Sequence, residues 1–346
     1  MKISKRGAKA LILLSLLSLL ALFSIGVAAG YSWYWSHVPL QGTPLQQGES
    51  AYPLQFVIPA GASAKASARL MKESGLMISP LQFALLARWQ NKASQIKAGN
   101  YELLAETTPL QLLDKLTSGD VTHQQIAIIE GWTFAQMRLA LNATPELQHT
   151  TASMSDAELI AALALPVDHP EGQFFPDTYR FDKGSTDLSI FKRAHQVLQK
   201  KLDTAWQGRA EALPFASPYE ALIMASIVEK ETGNARDRSK VAAVFVNRLK
   251  KGMLLQTDPT VIYGMGTQFD GNLRKNDLQT DTPYNSYTRS GLPPTPIALP
   301  GQAAIEATLH PAPIDALYFV AKGDGTSIFS NTLSEHNQAV NRYQKK

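Results

Sequence analysis

A run of 20 uncharged residues near the N-terminus, Leu11 to Gly30, constrains this chain more than any other feature. At 1.5 Å per residue, a helix of that length spans about 30 Å, the hydrocarbon thickness of a bilayer. Basic residues without an acid precede the run, and aromatic residues typical of a membrane interface follow it. They are Lys2, Lys5, Arg6 and Lys9, then Tyr31, Trp33, Tyr34 and Trp35. We therefore predict a basic tail at 1–10 and a transmembrane helix at 11–31.

The basic flank also predicts the orientation of this helix. Positively charged flanks stay on the cytoplasmic side, so the N-terminus is expected in the cytoplasm and everything after Tyr31 outside it. A cleaved signal peptide is the alternative, because Val27-Ala28-Ala29 resembles a cleavage site. The apolar run is longer than the 7–15 residues usual for a signal core, which favours a retained anchor.

Composition excludes several functional classes. The 346 residues include no Cys, which rules out thiol catalysis, disulfides and Cys-based zinc sites. The net charge is +4, but the basic residues are dispersed, so no nucleic-acid partner is predicted. His residues are scattered without the spacing of metal ligands, and no phosphate-binding loop occurs. We predict no cofactor and no metal site.

The rest of the chain is predicted to be α+β, in two parts. A Pro- and Gly-containing linker at 32–50 leads into a small α/β subdomain at 51–130, with the order β-α-α-β-α-β. Its last strand is the sequence HQQIAIIE. A larger mixed α+β domain follows at 131–346. There we expect a long helix from Leu188 to Trp206, a short strand or turn from Val261 to Met265, and a β-hairpin near the C-terminus.

The most informative stretch of the larger domain runs from Glu220 to Thr260. It begins as an apolar helix that ends in two acids, Glu229 and Glu231. Residues two apart on a helix project about 200° from each other, so the two acids cannot face one cleft. The side chains three, four and seven positions before Glu231 are bulky and apolar, whereas those before Glu229 are smaller on balance. These are Val228, Ile227 and Met224 for Glu231, and Ser226, Ala225 and Leu222 for Glu229.

A carboxyl on the apolar side of this helix would lose water, which raises its pKa as a general acid at neutral pH requires. Helical phase therefore favours Glu231, while the alternative is that both acids are ordinary solvated charges at a helix end. A glycosidase normally uses two carboxylates. Asp177, Asp237 and Asp258 are available, but no spacing compels any of them to pair with Glu231.

Long motifs in this part of the chain closely resemble the YceG-like family of endolytic murein lytic transglycosylases. They are ASIVEKET, KVAAVFVNRLKKGMLLQTDPTVIYGMG, TPYNSYT, SGLPPTPIALPG and HP, with EGQFFPDTY upstream. The resemblance covers residues 50 to 340. It implies a protein of the cell inner membrane with a periplasmic body, a LysM-like small subdomain, and cleavage of MurNAc–GlcNAc bonds within nascent glycan strands. The product would end in 1,6-anhydro-MurNAc.

The resemblance also implies a reaction that needs a single catalytic carboxyl. One Glu protonates the glycosidic oxygen and then, as a base, accepts the proton of the substrate's own C6 hydroxyl as that hydroxyl closes on C1. Other lytic transglycosylases carry a Glu-Ser pair at a helix end. The pair Glu231-Thr232 fits that pattern and Glu229-Lys230 does not, so Glu231 is the predicted catalytic residue.

Seven residues are predicted to bind substrate, mainly on the strength of the resemblance. Turn chemistry and core packing are the alternatives for several of them. They are Thr232, Gln256, Thr257, Asp258, Tyr263, Asn285 and Tyr287. The expected partners are peptidoglycan glycan strands, the inner membrane and cell-wall synthases. A non-catalytic murein-binding or assembly protein and a murein hydrolase that uses water remain as rival functions.

Overall fold

The computed structural model of the chain describes residues 5–43, 51–119 and 124–344. The chain divides into two compact units, Met1–Gln124 and Gln125–Lys346. Among the described residues helices predominate, and three small sheets have two strands each. The predicted mixed α+β class is therefore confirmed.

The first unit opens with α1, Lys5–His37, an unbroken helix of 33 residues. Its segment Leu16–His37 is long and apolar enough to cross a membrane. The mean hydropathy is 1.7, and the 18-residue apolar stretch that gives this value is not buried inside the protein. The helix extends beyond the predicted limits of the span at both ends. Residues 5–10 of the predicted basic tail are helical, and residues 1–4 lie outside the described residues.

The small domain that follows α1 is built on one antiparallel strand pair. Strand β1 pairs with β2 in a register that matches Leu54 with Leu103 and Ile58 with Gly99. Side chains of β1 alternate between buried and exposed, because only one face of the pair covers the core. Helices α2 and α3 pack on each other, and Phe83 and Tyr101 are among the largest side chains in the core. The elements are β1 Leu54–Ile58, α2 Ala64–Glu73, α3 Pro80–Trp89, β2 Gly99–Leu103 and α4 Pro109–Ser118.

Ordered residues occupy part of the segment 32–50 that was predicted as a linker. Helix α1 continues to His37, and the next residues are fixed to the small domain by backbone hydrogen bonds. The N–H of Leu40 donates to the carbonyl of Thr107 at 2.9 Å, and the N–H of Met77 donates to the carbonyl of Gln41 at 2.7 Å. Leu40 is buried in the domain core. Linker-like composition did not reveal this pairing, and residues 44–50 lie outside the described residues.

The second unit contains most of the helices. Its strands form two pairs, β3 with β4 and the antiparallel hairpin of β5 with β6. The predicted long helix and C-terminal hairpin are both confirmed. The elements up to the middle of the unit are β3 Gln124–Ala127, α5 Phe134–Asn142, α6 Asp156–Leu163, β4 Thr178–Phe181, α7 Asp187–Gln207 and α8 Pro218–Glu231. The remaining elements are α9 Arg238–Lys250, α10 Asp258–Met265, α11 Lys275–Gln279, α12 Gln302–Leu309, β5 Tyr318–Ala321, β6 Ser327–Ser330 and α13 Leu333–Tyr343.

Helix α8 is the central element of the second unit. All eight residues from Ala221 to Val228 are buried, because α7, α9, α10 and α12 all contact this helix. A helix that is apolar on every side is expected at such a position. The packing fixes the C-terminal end of α8, where both acids of the sequence prediction lie.

Two element predictions are corrected by the structure. The strand from HQQIAIIE was expected to complete the small subdomain, but β3 pairs with β4, and the boundary between the units falls at Gln124 rather than at residue 130. Residues Val261 to Met265 were expected as a strand or turn, but they belong to α10. Pro259 stands in the first turn of α10, where a missing N–H costs nothing.

Candidate active site

The two acids at the end of α8 face different parts of the second unit. Glu231 is the last residue of the helix, and Thr232 after it is extended. Its carboxylate oxygen Oε2 accepts a hydrogen bond from Thr257 Oγ1 at 2.6 Å. The Oε2 of Glu229 instead accepts the backbone N–H of Gly301 at 3.0 Å, just before α12. The helical phase that separated the two residues in the sequence is therefore observed.

Glu231 is half-buried, and its surroundings favour the protonated carboxyl. Burial is the largest influence and raises the pKa of Glu231 above its ordinary value. The hydrogen bond from Thr257 opposes this rise, the negative charge of Asp258 adds to it, and the positive charge of Arg248 opposes it. The net direction is upward, which suits a group that must hold a proton before donating it.

Buried hydroxyl groups hold in place the segment around Thr257, which contacts Glu231. Thr257 occupies the position just before α10 without a side-chain capping bond, and its N–H donates to Ser286 Oγ at 3.0 Å. The hydroxyls of Ser286 and Thr260 lie 2.7 Å apart, and both side chains are buried. Because each hydroxyl has a partner, the Thr257 side chain is kept in position to meet the Glu231 carboxyl.

Arg248 on α9 fixes the chain just before Thr257. Its Nε donates to the carbonyl of Leu317 at 2.7 Å, and its Nη1 donates to the carbonyl of Leu255 at 2.8 Å. The side chain is only 8% exposed, so these bonds replace the water that the guanidinium loses. Arg248 therefore supports the loop and also places a positive charge near Glu231.

Asp258 and Tyr287 form a polar pair next to Glu231. The hydroxyl of Tyr287 donates to Asp258 Oδ1 at 2.6 Å. Asp258 is exposed and Tyr287 is half-buried. Burial and the nearby carboxylates of Asp258 and Glu231 raise the pKa of Tyr287, which keeps its hydroxyl a donor. The structure thus brings Glu231, Thr257, Asp258 and Tyr287 together.

Gln256 and Thr232 lie at the edges of this group. Gln256 is exposed, and its backbone has a φ of 50°, in the left-handed region. Its N–H donates to the carbonyl of Ser286 at 3.0 Å, and its side-chain Oε1 accepts from Arg248 Nη1 at 3.5 Å. The hydroxyl of Thr232 accepts the N–H of Asn234 at 3.1 Å, as in a local turn. Direct contact of either side chain with substrate stays a prediction.

The other two predicted binding residues are placed differently. Asn285 is fully buried, and its amide donates to backbone carbonyls, including that of Thr280 at 2.7 Å. Its Oδ1 accepts the N–H of Tyr287 at 2.8 Å, so Asn285 supports the Tyr287 loop. The hydroxyl of Tyr263 donates to Glu171 Oε2 at 3.0 Å. We assign both residues a supporting position, and any direct contact with substrate stays untested.

Glu171 is a buried carboxyl whose importance the sequence analysis missed. It is 3% exposed, and its Oε1 accepts the N–H of Phe134 at the start of α5, at 2.9 Å. Burial raises the pKa of Glu171 to about 7, although the bonds from Phe134 and Tyr263 oppose the rise. It lines a cavity of about 820 Å³ together with Tyr263 and Lys230. The available signal was an acid set among Gly, Phe and Pro in EGQFFPDTY.

The geometry around Glu231 suits a group that acts as a general acid and base. Within residues 5–43, 51–119 and 124–344, no three His, Cys, Asp or Glu side chains are grouped as metal ligands would be. The site instead offers a carboxyl of raised pKa at the end of a rigid helix, next to exposed polar groups. Such a site belongs to the class of enzymes that transfer a proton to and from a substrate held at an open surface.

Comparisons with known proteins place the chain in a family. The model of the YceG-like family matches residues 56–342, so the chain belongs to the YceG-like family. A Bacillus subtilis protein named endolytic murein transglycosylase is 35% identical over 85% of this chain and 86% of its own length. A Streptococcus pneumoniae protein of the same name is 28% identical over 94% of this chain, which spans only 64% of that relative.

The fold has a solved counterpart in the same family. A crystal structure of a yceG-like protein from Listeria monocytogenes is 33% identical and aligns with a TM-score of 0.54. The alignment covers 82% of this chain and 98% of the Listeria chain. The family assignment based on motifs is therefore confirmed.

Proposed function

We propose that this chain is an endolytic murein lytic transglycosylase that cleaves MurNAc–GlcNAc bonds within glycan strands. The observation that carries the proposal is the Glu231 carboxyl, half-buried and of raised pKa at the end of α8, with the Thr257 hydroxyl at 2.6 Å. Membership of the YceG-like family and relatives named endolytic murein transglycosylases support the substrate class.

The proposed reaction uses Glu231 twice. The protonated carboxyl first donates its proton to the glycosidic oxygen, and the bond from that oxygen to C1 of MurNAc breaks. The carboxylate then accepts the proton of the C6 hydroxyl while the C6 oxygen bonds to C1, which yields the 1,6-anhydro end and restores the acid. Because the attacking oxygen belongs to the substrate, no water and no second enzyme carboxylate take part in the bond change.

Exposed polar groups near Glu231 are the proposed contacts for the sugar hydroxyl and N-acetyl groups. Asp258 and Tyr287 are the best placed, and Gln256 and Thr232 lie at the margin of the same surface. The net charge of +4 suits the anionic stem peptides of murein. The β1-α2-α3-β2 order supports a LysM-like small subdomain that would bind the same glycan.

The proposed location is the cell inner membrane, with a single span. The apolar helix Leu16–His37 supports the anchor, and the basic residues before it support a cytoplasmic N-terminus. The small subdomain and the catalytic domain would then lie in the periplasm, where nascent strands leave their synthases. Cell-wall synthases are accordingly the proposed protein partners.

The products of digestion test this proposal directly. Purified uncrosslinked glycan strands are incubated with the full chain in detergent, and the fragments are weighed by mass spectrometry. We expect internal cuts and anhydro-MurNAc ends, 18 Da lighter than the corresponding reducing ends because no water is added (about one water mass by atom balance). Reducing ends would instead identify a hydrolase. Binding without any cleavage would identify a murein-binding protein.

The Thr257 hydroxyl is expected to tune the acidity of Glu231. Its hydrogen bond lowers the pKa of Glu231 against the effect of burial, so Thr257→Val should move that pKa further upward. The alkaline limb of the pH–rate profile, where the acid loses its proton, should then shift to higher pH. Activity at the optimum should fall by about twofold to tenfold, the value of one neutral hydrogen bond.

Rates of strand cleavage measured from pH 4 to 9 provide this profile. Ser290→Ala changes a hydroxyl on the exposed part of the 285–296 loop and is the matched control, with an expected profile like that of the wild type. An unshifted alkaline limb in a correctly folded Thr257→Val protein would show that this hydroxyl does not set the acidity of Glu231.

A further inference from the structure

The small domain exposes an apolar stripe on helix α3. Leu81, Leu85 and Trp89 follow one another at every fourth position, so they share one face of the helix. They are 60%, 56% and 62% exposed, while Phe83, Leu86 and Ala87 on the other side are buried in the domain core. A contiguous patch of large apolar side chains is unusual on a surface that faces only water.

This stripe is continuous with the end of the proposed membrane span. Leu85 and Trp89 line a cavity of about 360 Å³ whose opposite wall includes Tyr31 and Trp35 of α1. Both of those aromatic residues belong to the last turns of the apolar segment Leu16–His37. Tyr and Trp at the end of a span mark the layer between lipid tails and water. Under the proposed anchoring, the α3 stripe would lie at the depth of that layer.

The junction between α1 and the small domain fixes this arrangement. Trp35 packs against the domain core, and Ser36 is 2% exposed. Beyond the helix, the hydroxyl of Tyr52 donates to the carbonyl of Leu40 at 2.6 Å. The backbone bonds of Leu40 and Gln41 to the small domain add to this attachment. Since α1 joins the domain without a free linker here, the depth of the helix in the bilayer sets the depth of α3.

We propose that the Leu81–Leu85–Trp89 face of α3 inserts into the lipid leaflet at the C-terminal end of the span, with acyl chains filling the cavity beside Tyr31 and Trp35. The proposal rests on the membrane anchoring proposed above. The exposed Arg88 next to the stripe suits the phosphates of the headgroups. Trp89 has the amphipathic ring that favours this layer. A lipid surface fits better than a protein partner because the patch continues directly from a helix face that lipid would surround.

The seating of α3 in lipid would hold the small domain against the membrane. An amphipathic helix in the interface plane buries its apolar face about 5–10 Å into the boundary between headgroups and acyl chains. The small domain would then stay at the bilayer surface instead of moving freely at the end of the anchor. Any glycan bound by this domain would be held at the same height above the bilayer.

Single labels test the insertion, because the natural chain contains no Cys. The full chain is reconstituted in nanodiscs of phosphatidylethanolamine and phosphatidylglycerol, and a spin label is attached to Leu85→Cys. Phe23→Cys inside the span reports on lipid, and Lys65→Cys on the exposed side of α2 reports on water. For each spin label, the rate of collisions with oxygen, which concentrates in lipid, is compared with the rate of collisions with a water-soluble nickel chelate.

We expect the oxygen-to-nickel collision ratio at Leu85→Cys to be at least about threefold higher than at Lys65→Cys, and to approach the value at Phe23→Cys. A ratio at Leu85→Cys equal to that at Lys65→Cys, with Phe23→Cys still in lipid, would overturn the insertion and leave the anchor intact. Shielding of Leu85→Cys from both reagents would also overturn it, since protein would then cover the stripe. A water-exposed label at Phe23→Cys would refute the anchor itself.

Discussion

Glu231→Gln is expected to abolish strand cleavage while the protein remains folded and still binds glycan. A general acid contributes on the order of 10²–10⁴-fold to a rate, and one that also serves as the base should account for the upper part of that range. The amide of Gln has the shape of the carboxyl and can still accept the Thr257 hydroxyl bond that the structure places at 2.6 Å. It cannot, however, give up or regain the proton.

The folding stability of Glu231→Gln should not fall below that of the wild type, because the carboxyl that it replaces is shielded from water. Burial raises the pKa of Glu231, so holding an ionised carboxyl at this position costs folding free energy near neutral pH. The neutral amide removes that cost. A thermal melt of Glu231→Gln at pH 7 should therefore show a midpoint equal to or above that of the wild type, and loss of activity cannot then be attributed to unfolding.

Glu229→Gln is the matched control from the same helix end. Glu229 accepts the N–H of Gly301 and lies near Glu130, Lys230 and Arg238, so its contacts are with the chain itself. Cleavage by Glu229→Gln should stay within about tenfold of the wild type, since one hydrogen bond to a charged group is changed to a neutral one. An inactive Glu229→Gln beside an active Glu231→Gln would reverse our assignment.

Asp258→Asn separates the lyase from a hydrolase with two carboxylates. A second carboxylate that activates water or attacks the sugar would be as important to the rate as the acid. Under the proposed reaction, Asp258 contacts the sugar, raises the pKa of Glu231 and accepts the Tyr287 hydroxyl, but it neither attacks the sugar nor activates water. We therefore expect a smaller loss for Asp258→Asn than for Glu231→Gln, and unchanged anhydro ends on the products.

Helical periodicity was enough to separate the two acids of α8. Two residues two positions apart must diverge, and the apolar side chains behind Glu231 indicated the side that loses water. The structure confirms the divergence, because Glu231 meets Thr257 and Glu229 meets Gly301, and burial raises the pKa of both carboxyls. Local geometry of this kind can be worked out from the sequence because it depends on neighbours within two helical turns.

Contacts between distant segments could not be worked out in the same way. The motif Thr257-Asp258-Pro259 is equally compatible with a turn and with the start of a helix, and packing against α8 selects the helix α10. The pairing of β3 with β4 joins residues about 50 positions apart, which no local pattern specifies. The burial of Leu40 could not be worked out either, because the domain that buries it lies later in the chain.

The contacts of Glu171 at the candidate site also join distant segments, so they could not be worked out from the sequence. This acid lies in an aromatic, Pro-bounded segment, but its partners come from two other elements, Phe134 at the start of α5 and Tyr263 on α10. The candidates for a second carboxylate near Glu231 in the sequence were the three Asp residues Asp177, Asp237 and Asp258. Asp168, His169 and Gln173 lie within three residues of Glu171, so the local sequence does not mark this acid as buried.

Glu171 is also expected to make the stability of the second unit depend on pH. Its pKa rises from an ordinary value of 4.5 to about 7 in the folded protein, so the folded state binds a proton that the unfolded state releases at lower pH. The neutral carboxyl contributes stability that is fully present below pH 4.5 and is lost as the pH rises through 7. A rise of this size corresponds to about 3 kcal/mol of unfolding free energy.

Glu171→Gln removes this titration and keeps a side chain that can accept one of the two hydrogen bonds. The unfolding free energy of the variant, relative to the wild type, should therefore increase by about 3 kcal/mol between pH 4 and pH 8. Urea unfolding of the full chain in detergent, followed by the fluorescence of Trp132 and Trp206 in the second unit, measures this difference. The increase should occur mainly between pH 5 and 7.

Glu158→Gln is the control, because the fold lowers the pKa of Glu158 whereas it raises that of Glu171. Glu158 is exposed, and the N–H and hydroxyl of Ser155 lower its pKa, so its contribution is present above pH 4.5 and is lost only in acid. The stability difference between Glu158→Gln and the wild type should stay constant from pH 5 to 8, where Glu171 titrates. If the difference for Glu171→Gln is equally constant over that range, the Glu171 carboxyl is ionised in the folded protein. Its contacts with Phe134 and Tyr263 would then outweigh the effect of burial.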